Sequence, residues 1–237
     1  MSSIISQPTS EVSYNQGLFF VFSAGVLWST VGISIRLIED ASVWQILLYR
    51  SLALSTFLYF VIRFRSGENP FVQVRRSGLL AGLALVAAYS GGIYSIKVIP
   101  VANALLLFAT APFMAAFLGW IVLRERVRYT TWIAILVAIG SIMIMVSGQT
   151  SNGALDGTLA ALGSAFGFAL FTIGLRWGRS EEMLPAVFLS GVFAIVIASI
   201  ICLIMGLPFV LSPGDVSISI SMGVFQVGAG LVFYTLE

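Results

Sequence analysis

The chain has few charged residues, no histidine and a single cysteine. Charged residues make up 9% of its 237 residues, whereas a soluble domain has about 25%. So few charges cannot cover a water-exposed surface, and this excludes a soluble fold. Without histidine, the chain has neither His-ligated zinc or haem nor a histidine proton relay. Cys202 lies in an apolar run, cannot form an intramolecular disulfide, and is interpreted as a buried apolar residue.

Several functional signatures are also missing. No Asp or Glu lies deep in an apolar segment, which argues against coupling through a buried acid. A Walker-type phosphate loop is absent, so direct ATP drive is not supported. The net charge of +2 argues against a nucleic-acid partner. Residues 1–16 are polar and lack the features of a secretory signal. We therefore expect no cofactor, no metal site and no catalytic residues.

What the chain does have is long apolar runs. Hydrophobic residues make up 59% of it, and the mean hydropathy is +1.02. The runs are too long and too uniformly apolar for the strands of a transmembrane barrel. The sequence therefore predicts an all-α integral membrane protein with eight transmembrane helices, here called spans 1 to 8. Their predicted bounds are Gly17–Ile38, Val43–Ile62, Gly78–Ile99, Val101–Leu123, Thr131–Val146, Gly157–Trp177, Pro185–Leu207 and Val216–Leu236.

Basic residues cluster in alternate loops and predict the orientation. The loops after spans 2, 4 and 6 are rich in arginine, namely Arg63, Arg65, Arg75, Arg76, Arg124, Arg126, Arg128, Arg176 and Arg179. The opposite loops carry the acidic residues Glu39, Asp40, Asp156 and Asp215. Only two basic residues, Arg36 and Lys97, lie at helix ends on that side. Because positive loops stay inside, the arginine-rich side is predicted to be cytoplasmic. The tail of residues 1–16 is then cytoplasmic as well.

An internal repeat is indicated by a shift of 140 residues, which aligns spans 6, 7 and 8 with spans 1, 2 and 3. Gly17 falls on Gly157, and Arg36 falls on Arg176. Identities are few, and chance similarity between apolar helices is the alternative. Five helices separate the copies, which would invert the second one, as in many secondary transporters. Residues 17–147 are then one five-helix repeat, and residues 148–237 are a second repeat truncated after its third helix. We expect a full-length chain of about 290 residues and ten helices.

Three polar residues stand out within or at the start of spans. Arg50 lies about two turns into span 2, where it could bind a substrate carboxylate or phosphate, or snorkel and bond backbone carbonyls. Gln226 lies near the middle of span 8, and could line a cavity or tie helices together. Asn103 opens span 4 after Pro100, and either caps that helix or lies on the substrate path.

Span 4 also has features of a bending helix, and aromatic residues occupy central positions elsewhere. Thr110 follows Asn103 on one helical face, and Pro112 should interrupt the hydrogen-bond ladder as a hinge or a static kink. The repeat partners Trp28 and Phe168 lie at mid-helix, and could line a cavity with Tyr89 and Tyr94 or simply pack. Small residues organise the packing. Span 6 holds a GxxxG pattern, Gly163 and Gly167, which is a weak signal of close helix approach.

The stretch VANALLLFATAPFMAAFLGWIVLRERVRYTTWIAILVAIGSIMIMV resembles the EamA-type repeat of the drug/metabolite transporter superfamily. The matching elements are residues 109–112, residues 123–126, and the segments GVLWSTVGISIRL and WQILLYRSLAL in spans 1 and 2. The resemblance implies ten helices in two inverted five-helix repeats. It also implies exporters or exchangers of amino acids, nucleotide-related metabolites, vitamins or drugs. Where the family usually has Gly-Glu after the fourth helix, this chain has Arg124 and Glu125. We expect Glu125 to form an ion pair with a neighbouring arginine rather than to have a transport role.

Together these observations predict a secondary transporter. It would export or exchange a small organic metabolite, such as an amino acid or a related compound, by alternating access across a bacterial inner membrane. Arg50 would anchor an anionic group, and the path would also include Trp28, Tyr94, Asn103, Thr110, Phe168 and Gln226. The expected partners are that substrate and the lipid bilayer, with a homodimer left open. The alternatives are a non-transporting membrane scaffold and, with less support, a membrane-embedded lipid enzyme.

Overall fold

A computed structural model describes residues 14–67, 76–147, 153–177 and 183–234 of the chain. All regular elements in these ranges are helices, and they form eight stretches long and apolar enough to cross a membrane. The predicted all-α fold with eight spans is thus confirmed. The helices are α1 Tyr14–Ser29, α2 Val31–Leu37, α3 Val43–Ser66, α4 Arg76–Val98, α5 Val101–Phe108, α6 Ala111–Val122, α7 Tyr129–Ser147, α8 Ala154–Trp177, α9 Met183–Ile204, α10 Pro213–Ser221, α11 Met222–Ala229 and α12 Gly230–Tyr234.

Five spans are single helices, and three are interrupted. Helices α1 and α2 form span 1, α5 and α6 form span 4, and α10 to α12 form span 8. In span 1, the hydroxyl of Thr30 donates to the carbonyl of Leu27 at 2.7 Å, which offers the chain a local alternative to the helical ladder. In span 4, the break falls at residues 109–110, just before Pro112, which has no N–H to donate. The predicted interruption of span 4 is therefore present.

Span 8 contains a π-helix, α11, in its middle. Such wide turns are rare and are frequently found at functional sites. The sequence predicts that span 8 begins at Val216, but the helix begins at Pro213. Ser212 caps it by accepting a hydrogen bond from the backbone N–H of Asp215 at 3.1 Å. Proline suits the first position of a helix because its missing N–H would have no partner there.

The start of span 2 is fixed by a capping box. The Ser42 side chain accepts from the Gln45 N–H, and the Gln45 side-chain carbonyl accepts from the Ser42 N–H at 2.8 Å. The Gln45 amide also donates to the carbonyl of Pro208 at 2.6 Å. This buried side chain therefore ties the start of span 2 to the turn before span 8. The capping box and this hydrogen bond together fix where span 2 begins relative to span 8.

The packing pairs the spans in a symmetric way. Span 3 packs against span 6, and span 1 packs against span 8; span 2 packs against span 7. Under the 140-residue shift, the first two pairs are equivalent to each other, and the third is its own equivalent. This pattern agrees with a two-fold axis between the copies, while the division into repeats stays a prediction. Span 5 lies at the periphery, packs against α6, and has no buried residue.

Arg124 occupies a backbone position that favours glycine. Its φ of 54° is the left-handed conformation that often ends a helix, and the N–H of Glu125 returns to the carbonyl of Gly119 at 3.3 Å. This is the position where the family that the sequence resembles usually has glycine. The departure seen in the sequence therefore places a strained, non-glycine residue at the end of span 4.

Candidate functional site

A central cavity of about 230 Å³ lies between the spans. Residues of spans 1, 2, 3, 4, 6, 7 and 8 line it, and the interruptions in spans 1 and 8 lie at its wall. Its lining is mostly apolar, with Arg50, Tyr89, Ser164 and Gln226 as polar residues. A concave, largely apolar site with a few polar groups is the usual form of a small-molecule site.

Arg50 is the charged group of this cavity. Its side chain is 5% exposed, and its guanidinium carbon lies 4.3 Å from the centre of the Tyr89 ring. The guanidinium therefore makes a cation–π contact with span 3, whereas the snorkelling alternative placed it at the membrane surface. Within the described ranges, Arg50 has neither an ion pair nor a hydrogen bond. A buried cation with free donors is available to an anionic ligand.

Gln226 lies on the π-helix, where it both lines the cavity and connects two spans. It is buried, lines the cavity, and its side-chain amide donates to the hydroxyl of Thr30 at 3.1 Å. The acceptor is the residue at which span 1 is interrupted. The two irregular segments are thus joined by one hydrogen bond beside the cavity.

We expect this bond to be measurable in a double-mutant cycle. Gln226→Leu and Thr30→Val remove its two partners with little change in volume, and coupling energies in membranes average about 0.6 kcal/mol. The free energy of unfolding of the single and double variants in detergent micelles gives the coupling. Thr56→Val is the control for Thr30→Val, because it also removes a hydroxyl, but one that bonds within its own helix. Purely additive losses for Gln226→Leu with Thr30→Val would contradict the contact.

The aromatic residues divide into two groups. Trp28 and Phe168 line the cavity, as do Phe108 and Phe171. Gly230 of span 8 makes room for the indole, because a Cβ there would lie 2.5 Å from its Nε1 atom. Tyr94 has a side chain that is 38% exposed and does not line the cavity.

The remaining residues predicted on span 4 lie away from the cavity. Pro100 occupies the cap position of α5 and Asn103 lies inside the first turn, so the capping interpretation of Asn103 is wrong. Proline restricts the preceding backbone and starts a helix readily, which explains the earlier start. Thr110 is buried and donates to the carbonyl of Leu107 at 2.6 Å. Pro112 is exposed. Asn103, Thr110 and Pro112 do not line the cavity.

Ser164 and Phe108 are among the lining residues that the sequence analysis does not select. Ser164 follows Gly163 in span 6, lines the cavity, and donates to the carbonyl of Ala88 at 2.7 Å. A hydroxyl in the middle of an apolar span was the available signal. Phe108 lies just before the break in span 4, and its sequence gave no such signal, since phenylalanine is frequent throughout the chain.

Polar contacts tie the turns together at the end of the bundle that is predicted to be outside. The buried carboxylate of Asp215 accepts from the backbone N–H groups of residues 39–41 at 3.0 to 3.4 Å. Lys97 donates to the last carbonyl of that segment. Arg36 donates to the carbonyl of Ile99 at 2.8 Å. These contacts join the ends of spans 1, 2, 3 and 8.

At the opposite end, Arg176 of span 6 binds Glu125 after span 4 at 2.6 Å. The expected pairing of Glu125 with an arginine is confirmed. Both side chains are about half exposed, so the pair adds little stability. All these contacts join residues that the charge pattern places on the same side of the membrane, which agrees with the predicted topology.

Comparison with known proteins establishes the family. The model of the EamA-like transporter family matches residues 15–147, more than half of the chain. The chain belongs to the EamA-like transporter family. It is therefore a multi-pass membrane protein of the drug/metabolite transporter type, and the suspected resemblance is confirmed.

Fold similarity extends over most of the chain. A solved structure described only as "Crystal structure of protein" matches with a TM-score of 0.66 and 18% identity. The match covers 93% of this chain and 77% of that chain. At this identity, the similarity shows the fold alone. No curated protein matches the chain. Because members of the EamA-like family are transporters, a function without catalysis fits this chain.

Proposed function

We propose that this EamA-like protein is a secondary transporter that works by alternating access. Its substrate is a small organic metabolite, such as an amino acid or a related compound, which it exports or exchanges. The observation that supports this most is the central cavity, where the buried Arg50 and Gln226 face an otherwise apolar space. Buried polar groups at this depth are costly, and they mark substrate paths in membrane proteins. The protein works in a bacterial inner membrane with its N-terminus in the cytoplasm.

The two inverted repeats provide the moving parts. One repeat comprises residues 17–147, and the second begins at residue 148 and includes spans 6 to 8. Transporters of this kind rock one copy against the other around a site at the interface, and that site is often built from broken helices. The interruptions at Thr30 and in α11 lie beside the cavity, and Pro112 follows the break in span 4. Pro112 is the hinge of that span.

Alternating access also requires that each end of the cavity can close. The contacts of Asp215 and Lys97 with residues 39–41 hold the outer ends of spans 2, 3 and 8 together. These contacts are made by hydrogen bonds to backbone atoms, which can be exchanged for water when the outer ends separate. The outer network is therefore the closed gate of an alternating cycle.

Transport is tested directly with the full-length protein in proteoliposomes. We expect flux or counterflow of at least one labelled metabolite from a broad panel of amino acids and organic acids, and none in empty liposomes. The absence of both flux and binding across the panel would refute the proposal.

A cysteine scan separates a transporter from a scaffold. In a background with Cys202→Ala, single cysteines at Trp28, Arg50 and Gln226 should react with a water-soluble, membrane-impermeant thiol reagent. A cysteine at Leu58, which is fully buried in span 2, is the negative control. A scaffold has no need of a hydrated cavity, and protection of all three positions would favour it.

A further inference from the structure

The cavity lining points to a chemical class of substrate. We infer that it takes an organic monocarboxylate with an apolar body of roughly the size of one aromatic ring. This inference rests on the proposed function, because it concerns the same cavity. Among the metabolites proposed above, it favours carboxylates without an amino group over zwitterionic amino acids, because no described acidic residue lines the cavity to pair with an ammonium group.

The charge of the cavity is positive and lacks a protein counterion. Arg50 is 5% exposed, and no described residue forms an ion pair with it. Within the described part of the chain, no acidic side chain lines the cavity. An isolated charge in a low-dielectric site is unfavourable, and an anion that enters the cavity removes that penalty. A single negative charge matches the single cation.

The contact between Arg50 and Tyr89 leaves the arginine donors free. A cation–π contact involves the face of the ring and uses no N–H group. A guanidinium presents its N–H groups as a planar fork that binds both oxygens of a carboxylate at once. Tyr89 thus positions the guanidinium from one side, and the fork remains available to the ligand.

The walls of the cavity indicate the chemistry of the rest of the substrate, beyond its carboxylate. Four aromatic rings besides Tyr89 line the space, those of Trp28, Phe108, Phe168 and Phe171. Flat apolar walls favour an apolar body, which can stack on them. The volume of about 230 Å³ is below that of sites for drug-sized ligands, which suits a small molecule. Polar groups on that body have few partners, because the Ser164 hydroxyl already donates to Ala88 and one N–H of the Gln226 amide donates to Thr30. The other N–H and the carbonyl oxygen of Gln226 leave room for one polar contact beside the carboxylate.

A matched set of probes tests the class. The set is 3-phenylpropanoate, its neutral amide 3-phenylpropanamide, the zwitterion phenylalanine and the dianion phenylsuccinate. Binding is measured by calorimetry on the full-length protein in nanodiscs, with empty nanodiscs subtracted, at a pH of about 7.5 where the carboxylates are ionised. We expect 3-phenylpropanoate to bind, and the amide to bind about 10- to 100-fold more weakly, because it lacks the charge-assisted bonds. Phenylalanine and phenylsuccinate should also bind more weakly than 3-phenylpropanoate.

Variants assign the carboxylate to Arg50. Arg50→Gln should weaken binding of 3-phenylpropanoate about 100-fold and leave the weak binding of the amide unchanged. Arg50→Lys keeps the charge and loses the fork, so we expect a loss of about 10-fold. Arg176→Gln is the control, since it removes an arginine outside the cavity. Arg50→Lys keeps the test meaningful if Arg50→Gln does not fold, because it leaves a cation at the site.

The binding experiments test the substrate class separately from transport. If phenylalanine or the amide binds as tightly as 3-phenylpropanoate, or if Arg50→Lys and Arg50→Gln bind it like the wild type, the inference is overturned, even where flux of some metabolite is found. If 3-phenylpropanoate binds as expected and no substrate crosses the membrane, the inference stands and the transport proposal fails.

Discussion

Replacing Gly167 by alanine should strongly destabilise the fold, whereas the same change at Gly163 should leave it intact. A Cβ at Gly167 would lie 2.7 Å from the carbonyl oxygen of Ala84 and 3.0 Å from the backbone nitrogen of Ala88. These are backbone atoms of span 3, so relief requires the two helices to separate. Overpacking of this kind costs about 1–3 kcal/mol, and more where the backbone must move. At Gly163, nothing lies within 4 Å of the added methyl group.

The pair provides its own control, because both glycines belong to one GxxxG pattern on one helix. Alanine is the better helix former by about 1 kcal/mol, so Gly163→Ala should be neutral or slightly stabilising. Unfolding of both variants with denaturant in mixed micelles gives the comparison. Equal effects at the two positions would contradict the packing of span 6 against span 3.

Asp215→Ala should loosen the end of the bundle that is predicted to be outside. The carboxylate accepts from three consecutive backbone N–H groups, of residues 39–41, and it is buried. Hydrogen bonds to a charged group are worth about 1.5–3 kcal/mol each, and part of that is recovered when water replaces the carboxylate. We expect a loss of about 2–3 kcal/mol in the free energy of unfolding, with Asp215→Asn in between, since its amide keeps one acceptor oxygen.

Local opening distinguishes this network from general destabilisation. A cysteine at Ala41, which is 1% exposed, should react slowly with a thiol reagent in the parent protein and at least about 10-fold faster with Asp215→Ala. Asp156→Ala is the control, because Asp156 is an exposed acid in the first turn of span 6. Its loss removes only a helix-end charge effect of about 0.3–1 kcal/mol. An unchanged reaction rate at Ala41 would show that Asp215 does not hold the turns at this end of the bundle.

Local sequence features predicted the elements well where the cause was local. Long apolar runs define the spans, because every backbone group in lipid must bond within its own helix. The break before Pro112 follows from the missing N–H of proline. The start of α5 shows the limit: Asn103 is a good cap residue, but Pro100 had already set the backbone that begins the helix. The π-helix of span 8 had no signal in its residues.

The candidate site could be predicted only in part. Arg50 and Gln226 stood out as polar residues within apolar runs, and both line the cavity. Tyr94 stood out as an aromatic residue, but its neighbours in space place it outside the cavity. Ser164 and Phe108 line the cavity without having been selected. Membership of a site depends on the direction in which a helix faces, and apolar runs that are hydrophobic on all sides do not encode that direction in their pattern.

The sequence by itself determined that this chain lies in a membrane, how many spans it has here and which family it resembles. These properties depend on composition and on order along the chain. Only the tertiary structure decided that Arg50 lies over Tyr89, that Gln226 binds Thr30, and that Gly167 but not Gly163 meets a neighbouring helix. In lipid, both faces of a span can be equally apolar, so the choice between them depends on packing with other spans.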